Sequence, residues 1–229
     1  CLQEMPRKGT FDKFTKSTLE KYFGFKYVAY DNYSSNKGSS VFQIVMSNYP
    51  MRVGNSFGTS DLDSHIMPLV VEVGNRDIAI LNCHLESIRL SDKQISSVNN
   101  AIHARREKDN LKSTYKQMMD AFTQRAVQAR KIRQLVSEND CPTIVCGDFN
   151  DAPLSYTYRQ MKKAGFKDTF VKVGKGIKPT YGGKLPLLRI DYIWGNDGVK
   201  PLQFNCIKKK LSDHYPVILD FKIEQNNEN

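Results

Sequence analysis

Cysteine is sparse and unpatterned in this chain. There are five residues, an odd number, and no CxxC spacing links Cys83, Cys141, Cys146 and Cys206, which lie in or beside apolar runs. That argues against a disulfide framework and a thiolate zinc site, and predicts buried free thiols. No apolar run approaches the roughly 18 residues that a membrane-spanning helix needs, and no stretch of these residues reads as a signal peptide. Acidic residues are in deficit, 24 against 34 basic, for a formal charge of +10. Such an excess points to a polyanionic or phosphorylated partner, or to a basic surface that serves only solubility. Internal repeats, low-complexity tracts and linkers are missing too. With 229 residues and 40% hydrophobic content, one domain over residues 1–224 and a polar tail at 225–229 are expected.

The stretch that organises the rest is Cys141-Pro142-Thr143-Ile144-Val145-Cys146-Gly147-Asp148-Phe149-Asn150-Asp151. Residues 143–146 are short, apolar and β-branched, as in a buried central strand, and they break off into Gly147 and a polar segment. A carboxylate is thereby delivered to a strand end, where loops converge and ligands bind in α/β sheets. Asp148 and Asn150 are two apart, so an extended segment would turn both to one pocket. An ordinary Asp/Asn turn after a strand reads the same way.

Other strand ends repeat the pattern. Leu2-Gln3-Glu4 places Glu4 after an apolar residue, and residues 77–83 run as a strand into His84-Leu85-Glu86-Ser87. That strand pairs with residues 67–73 through Gly74-Asn75-Arg76, a good hairpin. Arg189-Ile190-Asp191-Tyr192-Ile193-Trp194 alternates so that Arg189 and Asp191 share one face, which a structural Arg–Asp pair would also explain. Ser212-Asp213-His214 sets a carboxylate beside an imidazole just before a closing strand at 217–223.

The remaining segments read as packing. They are a helix over 11–23, strands at 25–30 and 41–46, a helical excursion within 91–139, a helix over 154–164, a return segment at 166–171 and a strand at 201–207. In the excursion Ala121, Phe122, Ala126, Ala129, Ile132, Leu135 and Val136 form an apolar stripe at helical period. His65, in a polar stretch, reads as a solvated loop histidine. Arg105-Arg106-Glu107-Lys108 is a solvated helix face or a polyanion contact.

Carboxylates without cysteine ligands suit a hard cation, magnesium or manganese, which polarises a phosphoryl oxygen and stabilises a leaving oxyanion. Two histidines and a further Asp supply proton transfers, each typically contributing about 10²- to 10⁴-fold.

Six motifs in order, Leu2-Gln3-Glu4, Ser47-Asn48-Tyr49-Pro50, His84-Leu85-Glu86-Ser87, Gly147-Asp148-Phe149-Asn150-Asp151, Arg189-Ile190-Asp191-Tyr192-Ile193 and Ser212-Asp213-His214-Tyr215-Pro216-Val217, give the chain a strong resemblance to the endonuclease/exonuclease/phosphatase superfamily. These are the DNase I-like metal-dependent phosphoesterases. The resemblance implies an α/β fold, a four-layer α/β/β/α sandwich with two mixed sheets face to face and helices outside. By the same resemblance Glu4 is a metal ligand and Asp213 a second carboxylate near the metal. Asp148 orients or deprotonates the attacking water, and Asn150 holds the phosphate or that Asp. His214, kept in its tautomer by Asp191, and His84 flank the scissile phosphate. Arg189 and Tyr181 are expected to bind substrate. Attack is in line, without a covalent intermediate.

The expected activity is hydrolysis of a phosphodiester, nucleic acid included, by a monomer. A phosphomonoesterase on sugar or lipid phosphates and a phosphate-binding module without catalysis are the alternatives. His-Leu-Glu-Ser resembles the motif of tyrosyl-DNA phosphodiesterases, and Tyr181, Tyr192 and Trp194 would suit base stacking or plain core. One departure stands out: the superfamily's first strand carries an Asn that helps place the metal, and nothing before Cys1 supplies it. Bacterial proteins of similar appearance often carry membrane spans upstream, which implies an anchored hydrolase facing outward, with the cytoplasm as the other location.

Overall fold

Residues 66–71 are an unbroken apolar run with no polar face for water, so as a strand they must be covered on both sides. Ile66 and Val70 pack with Ile132, Leu135 and Val136 of a helical layer. Met67, Leu69 and Val71, alternating with them, pack with Ala29 and Val45 of a second sheet. Each such side chain contributes about 1.5–3 kcal/mol by burial, which holds three layers on one strand.

The computed structural model describes residues 1–6, 16–31, 41–53, 65–88, 108–137, 139–183 and 187–224. Its elements in order are β1 (Leu2–Pro6), α1 (Lys16–Phe23), β2 (Tyr27–Asp31), β3 (Val41–Ser47), β4 (Met51–Val53), β5 (Ile66–Val73), β6 (Arg76–His84), α2 (Lys108–Ser137), β7 (Thr143–Asp148), α3 (Tyr156–Lys163), β8 (Lys167–Asp168), α4 (Thr169–Val173), β9 (Asp191–Gly195), β10 (Val199–Cys206) and β11 (Val217–Ile223). A six-stranded mixed sheet runs β4-β5-β6-β7-β9-β8. Only β6 and β7 are parallel in it, and the α2 crossover joins them.

Facing that sheet are β1-β3-β2 and β10-β11, both antiparallel. β1 and β3 lie against β6, β2 against β4, and β10 and β11 against β9. Helices α2 and α3 cover the outer face of the large sheet through Ile132, Leu135, Val136 and Met161. On the other side α1 lies against β2. The fold is therefore the α/β sandwich of the DNase I-like type, with its second sheet hydrogen-bonded as two separate pieces.

Several local expectations need adjusting. Strand β4 is too short to signal itself in sequence. Residues 169–173 are helical, because the side chain of Asp168 caps Phe170 N at 3.1 Å. Strand β9 begins at Asp191, so Arg189 precedes it and the two do not share a strand face. The start of the helix expected over 11–23, the Arg105–Lys108 cluster apart from Lys108, and the tail at 225–229 lie outside the described residues. No helix among the described residues is long and apolar enough to cross a membrane.

Candidate active site

Pairing of the central strands assembles the site. In the parallel β6/β7 pair His84 lies opposite Asp148, and in the antiparallel β7/β9 pair Asp148 lies opposite Asp191. Three chemically active side chains thus stand in one row, as cross-strand neighbours do. Gly147 makes the approach possible: it has φ +128, and a Cβ there would sit 2.0 Å from the Cys83 carbonyl oxygen. The buried Asn82, two residues before His84, ties β1 to this row. Gln3 Nε2 donates to Asn82 Oδ1 at 2.5 Å, and Asn82 Nδ2 donates to the Leu2 carbonyl at 3.2 Å. Glu4 follows in the left-handed region, φ 54, where β1 slips register against β3. Its Oε1 comes within 3.3 Å of His84 Nε2.

Beyond the end of the large sheet, buried Thr180 fixes the start of β9. Its Oγ1 accepts from the backbone N–H of both Ile190 and Asp191 at 3.0 Å. Its carbonyl accepts from Tyr215 N at 2.7 Å, and Gly182 N donates to the Asp213 carbonyl at 2.7 Å. The two loops are thereby locked together, and His214 Nδ1 sits 2.9 and 3.1 Å from the Asp191 carboxylate oxygens. His214 Nε2 then points at Asp148 Oδ2, 3.9 Å away, the same distance as His84 Nε2 from that oxygen. Tyr181 lies edge-on to the His214 ring at 5.2 Å between centroids.

Charge is finely balanced here. Burial, and then the neighbouring Asp191, push the Asp148 carboxyl up to about 7, although His214, His84 and the Asn150 N–H oppose the rise. Burial disfavours the His214 cation, but the hydrogen bond and charge of Asp191, with Asp148 and Asp213, outweigh it and raise His214 to about 9. His214 is therefore an imidazolium at neutral pH, Nδ1–H donating to Asp191 and Nε2–H directed at Asp148. His84 Nε2 is buried and has no hydrogen-bond partner among the described residues.

Of the residues singled out from sequence, Glu4, His84, Asp148, Asp191 and His214 are brought together. Asp148, Asp191 and His214 offer ligand atoms all within 4.8 Å of one another. Asn150 does not share a face with Asp148. It turns left-handed, φ 49, donates its N–H to Asp148 Oδ1 at 2.7 Å and sends Nδ2 to the Leu85 carbonyl at 2.9 Å. Asp213 is exposed and stands outside the three-residue cluster. Arg189 is buried, bonded to Asp168 at 2.7 Å and lodged over the rings of Tyr192 and Phe170. Tyr192 and Trp194 are core, 2% and 0% exposed.

His65 is not a solvated loop residue. Its Nδ1 lies 2.7 Å from the His84 carbonyl oxygen, and its Nε2 lies 3.5 Å from Glu86 Oε2. The signal was available, because the register Ile66↔Cys83 of the 74–75 hairpin puts residue 65 opposite residue 84. The buried side chains of Arg125 and Gln128 were missed as well. Their signal is an Arg four residues from both Ala121 and Ala129 in the apolar stripe.

Residues 1–214 match the Endonuclease/Exonuclease/phosphatase family. The chain belongs to that family, a family of phosphoester hydrolases. Solved structures agree on the fold. An AP endonuclease from Archaeoglobus fulgidus superposes with a TM-score of 0.62 at 15% identity, covering 96% of this chain and 87% of that one. D. rerio TDP2 complexed with single strand DNA product gives 0.55 at 16% identity, with 96% and 84% covered. An endonuclease/exonuclease/phosphatase from Beutenbergia cavernae gives 0.57 at 16%, covering 90% of this chain and 56% of that longer one. No curated protein matches the sequence.

Proposed function

We propose that this domain hydrolyses a phosphodiester by in-line attack of water, with nucleic acid as the substrate class and magnesium or manganese as the cofactor. The observation that carries the reading is the convergence of two histidine nitrogens on one carboxylate oxygen of buried Asp148, Oδ2, one of them His84 Nε2, which makes no hydrogen bond among the described residues and has Glu4 Oε1 3.3 Å away. A phosphoryl oxygen bound there satisfies that donor and receives charge from the His214 imidazolium. Asp148 Oδ1 is taken by Asn150 N, which leaves Oδ2 to accept the proton of the attacking water. Asp191 holds His214 in position and in its charge state.

The donor set fits a hard divalent cation. The nearby groups are oxygen and imidazole without thiolate, and burial together with the adjacent Asp191 raises Asp148, so that added positive charge is favoured there. Glu4 and Asp213 are the carboxylates proposed to hold the ion, which when bound stabilises the charge on the departing oxygen. Support for a nucleic-acid substrate comes from the charge of +10, from the exposed Lys208-Lys209-Lys210 just before Asp213 and His214, and from the Tyr181 ring beside His214. The DNA-directed names of the structural neighbours agree with it.

The test is magnesium-dependent hydrolysis of bis(p-nitrophenyl) phosphate beside p-nitrophenyl phosphate, with Asp148→Asn as the control. Diester turnover lost in the variant supports the proposal, and a marked monoester preference replaces it with a phosphatase acting on sugar or lipid phosphates. Metal binding without turnover on either substrate points to a binding module. Glu4→Gln is expected to raise the magnesium concentration for half-maximal rate at least about tenfold. A titration with an unchanged midpoint removes Glu4 from the metal site.

A further inference from the structure

We infer that Arg125 and Gln128 of α2 are positioning residues of the active site, and that the long helix serves the reaction as well as covering the sheet. Both side chains are nearly inaccessible, at 1% and 3% exposed. A buried guanidinium is costly unless it is paired and hydrogen-bonded, so its partners define its role.

Those partners are the two loops that leave the strand ends. Arg125 Nη1 donates to the Glu86 carbonyl at 2.8 Å, and Gln128 Oε1 accepts from the Glu86 N–H at 2.9 Å. Two side chains one helical turn apart thus grip both polar groups of one backbone residue, as a neighbouring strand would, just after β6 has run out. The other loop is reached by Arg125 Nε, which lies 3.6 Å from Asp151 Oδ2 and has no hydrogen-bond partner among the described residues. Asp151 is further held where its carbonyl accepts from Tyr192 OH at 2.9 Å.

Between the two gripped points lie the bonds that join the segments directly, Asn150 Nδ2 to the Leu85 carbonyl and Leu85 N to the Asp148 carbonyl, both 2.9 Å. Asn150 N in turn fixes Asp148 Oδ1. Arg125 therefore acts one step behind Asn150 and two behind Asp148, setting the spacing between the His84 end of one loop and the Asp148 end of the other. A displacement of about 1 Å in such an arrangement is enough to cost about 10²-fold in rate. The guanidinium itself touches neither reacting atom.

This inference rests on the phosphodiesterase reading, so the wild-type rate on bis(p-nitrophenyl) phosphate is measured first; no turnover there sinks that reading, not this one. Arg125→Met is expected to lower kcat at least about tenfold with KM within about threefold, and Arg125→Lys to recover part of the loss. A folded Arg125→Met protein with kcat within twofold of wild type overturns the inference. So does a loss carried by KM alone. If Arg125→Met does not fold, Gln128→Leu is judged by the same kcat and KM criteria, since it removes only the acceptor for Glu86 N.

Discussion

Asp148→Asn is expected to lower phosphodiester turnover by at least about 10²-fold, and in the absence of divalent cation to melt at a higher temperature than wild type at pH 8. The two effects share one cause. Asp148 is 7% exposed, and burial with the adjacent Asp191 raises its carboxyl to about 7. In the unfolded chain the same group titrates near 3.8. Because its folded value is raised, its contribution to stability is fully present below the unfolded value and is lost as pH rises through about 7. At about 1.4 kcal/mol per pH unit, ionisation costs the folded state on the order of 4 kcal/mol by pH 8. The amide keeps the shape and an acceptor for Asn150 N without the charge, so the variant should melt roughly 8–16 °C higher at pH 8 and close to wild type at pH 4. Steady-state kinetics and thermal melts at the two pH values check it. Turnover within a few-fold of wild type removes Asp148 from the chemistry, and an equal melting difference at both pH values removes the electrostatic cause.

Gly147→Ala is expected to destabilise the fold by at least about 3 kcal/mol, from the strained backbone and the steric overlap together. The added methyl carbon would stand 2.0 Å from the backbone oxygen of Cys83, and φ +128 is a conformation that side chains rarely adopt. No flexible side chain is available to move aside, because the contacting atoms are the main chain of β6. The strands would have to part where His84 and Asp148 face each other, so the loss of stability should bring a loss of activity even in the folded fraction. An unfolding free energy from denaturant titration within about 1 kcal/mol of wild type contradicts the close β6/β7 approach.

What could be read in the sequence was what local chemistry controls. Thr143 to Cys146 breaks into Gly147 and Asp148, the 74–75 turn closes a hairpin, and strands β3, β7 and β11 fall within a residue or two of their expected places. Periodicity failed where a strand had not yet begun. Arg189 and Asp191 alternate on paper, but the ladder starts at Asp191 and Arg189 turns instead to Asp168, 21 residues away in sequence. Asn150 was misplaced for a related reason, since two residues past a strand end the backbone had already turned left-handed. The grip of Arg125 on Glu86 spans 39 residues, and no local pattern reports a contact across such a crossover. The order of the six motifs, by contrast, carried the family and with it the sandwich.

Glu4 and Asn150 are non-glycine residues held at φ 54 and 49. Glycine takes that conformation freely, whereas a side chain such as that of Glu4 costs about 1 kcal/mol there, and asparagine somewhat less. Stability and the metal-holding role proposed for Glu4 therefore favour opposite residues at position 4. Selecting such a domain for heat resistance alone, with no screen for turnover, would drive residue 4 toward glycine and remove the carboxylate from the mouth of the site while the melting curve improved.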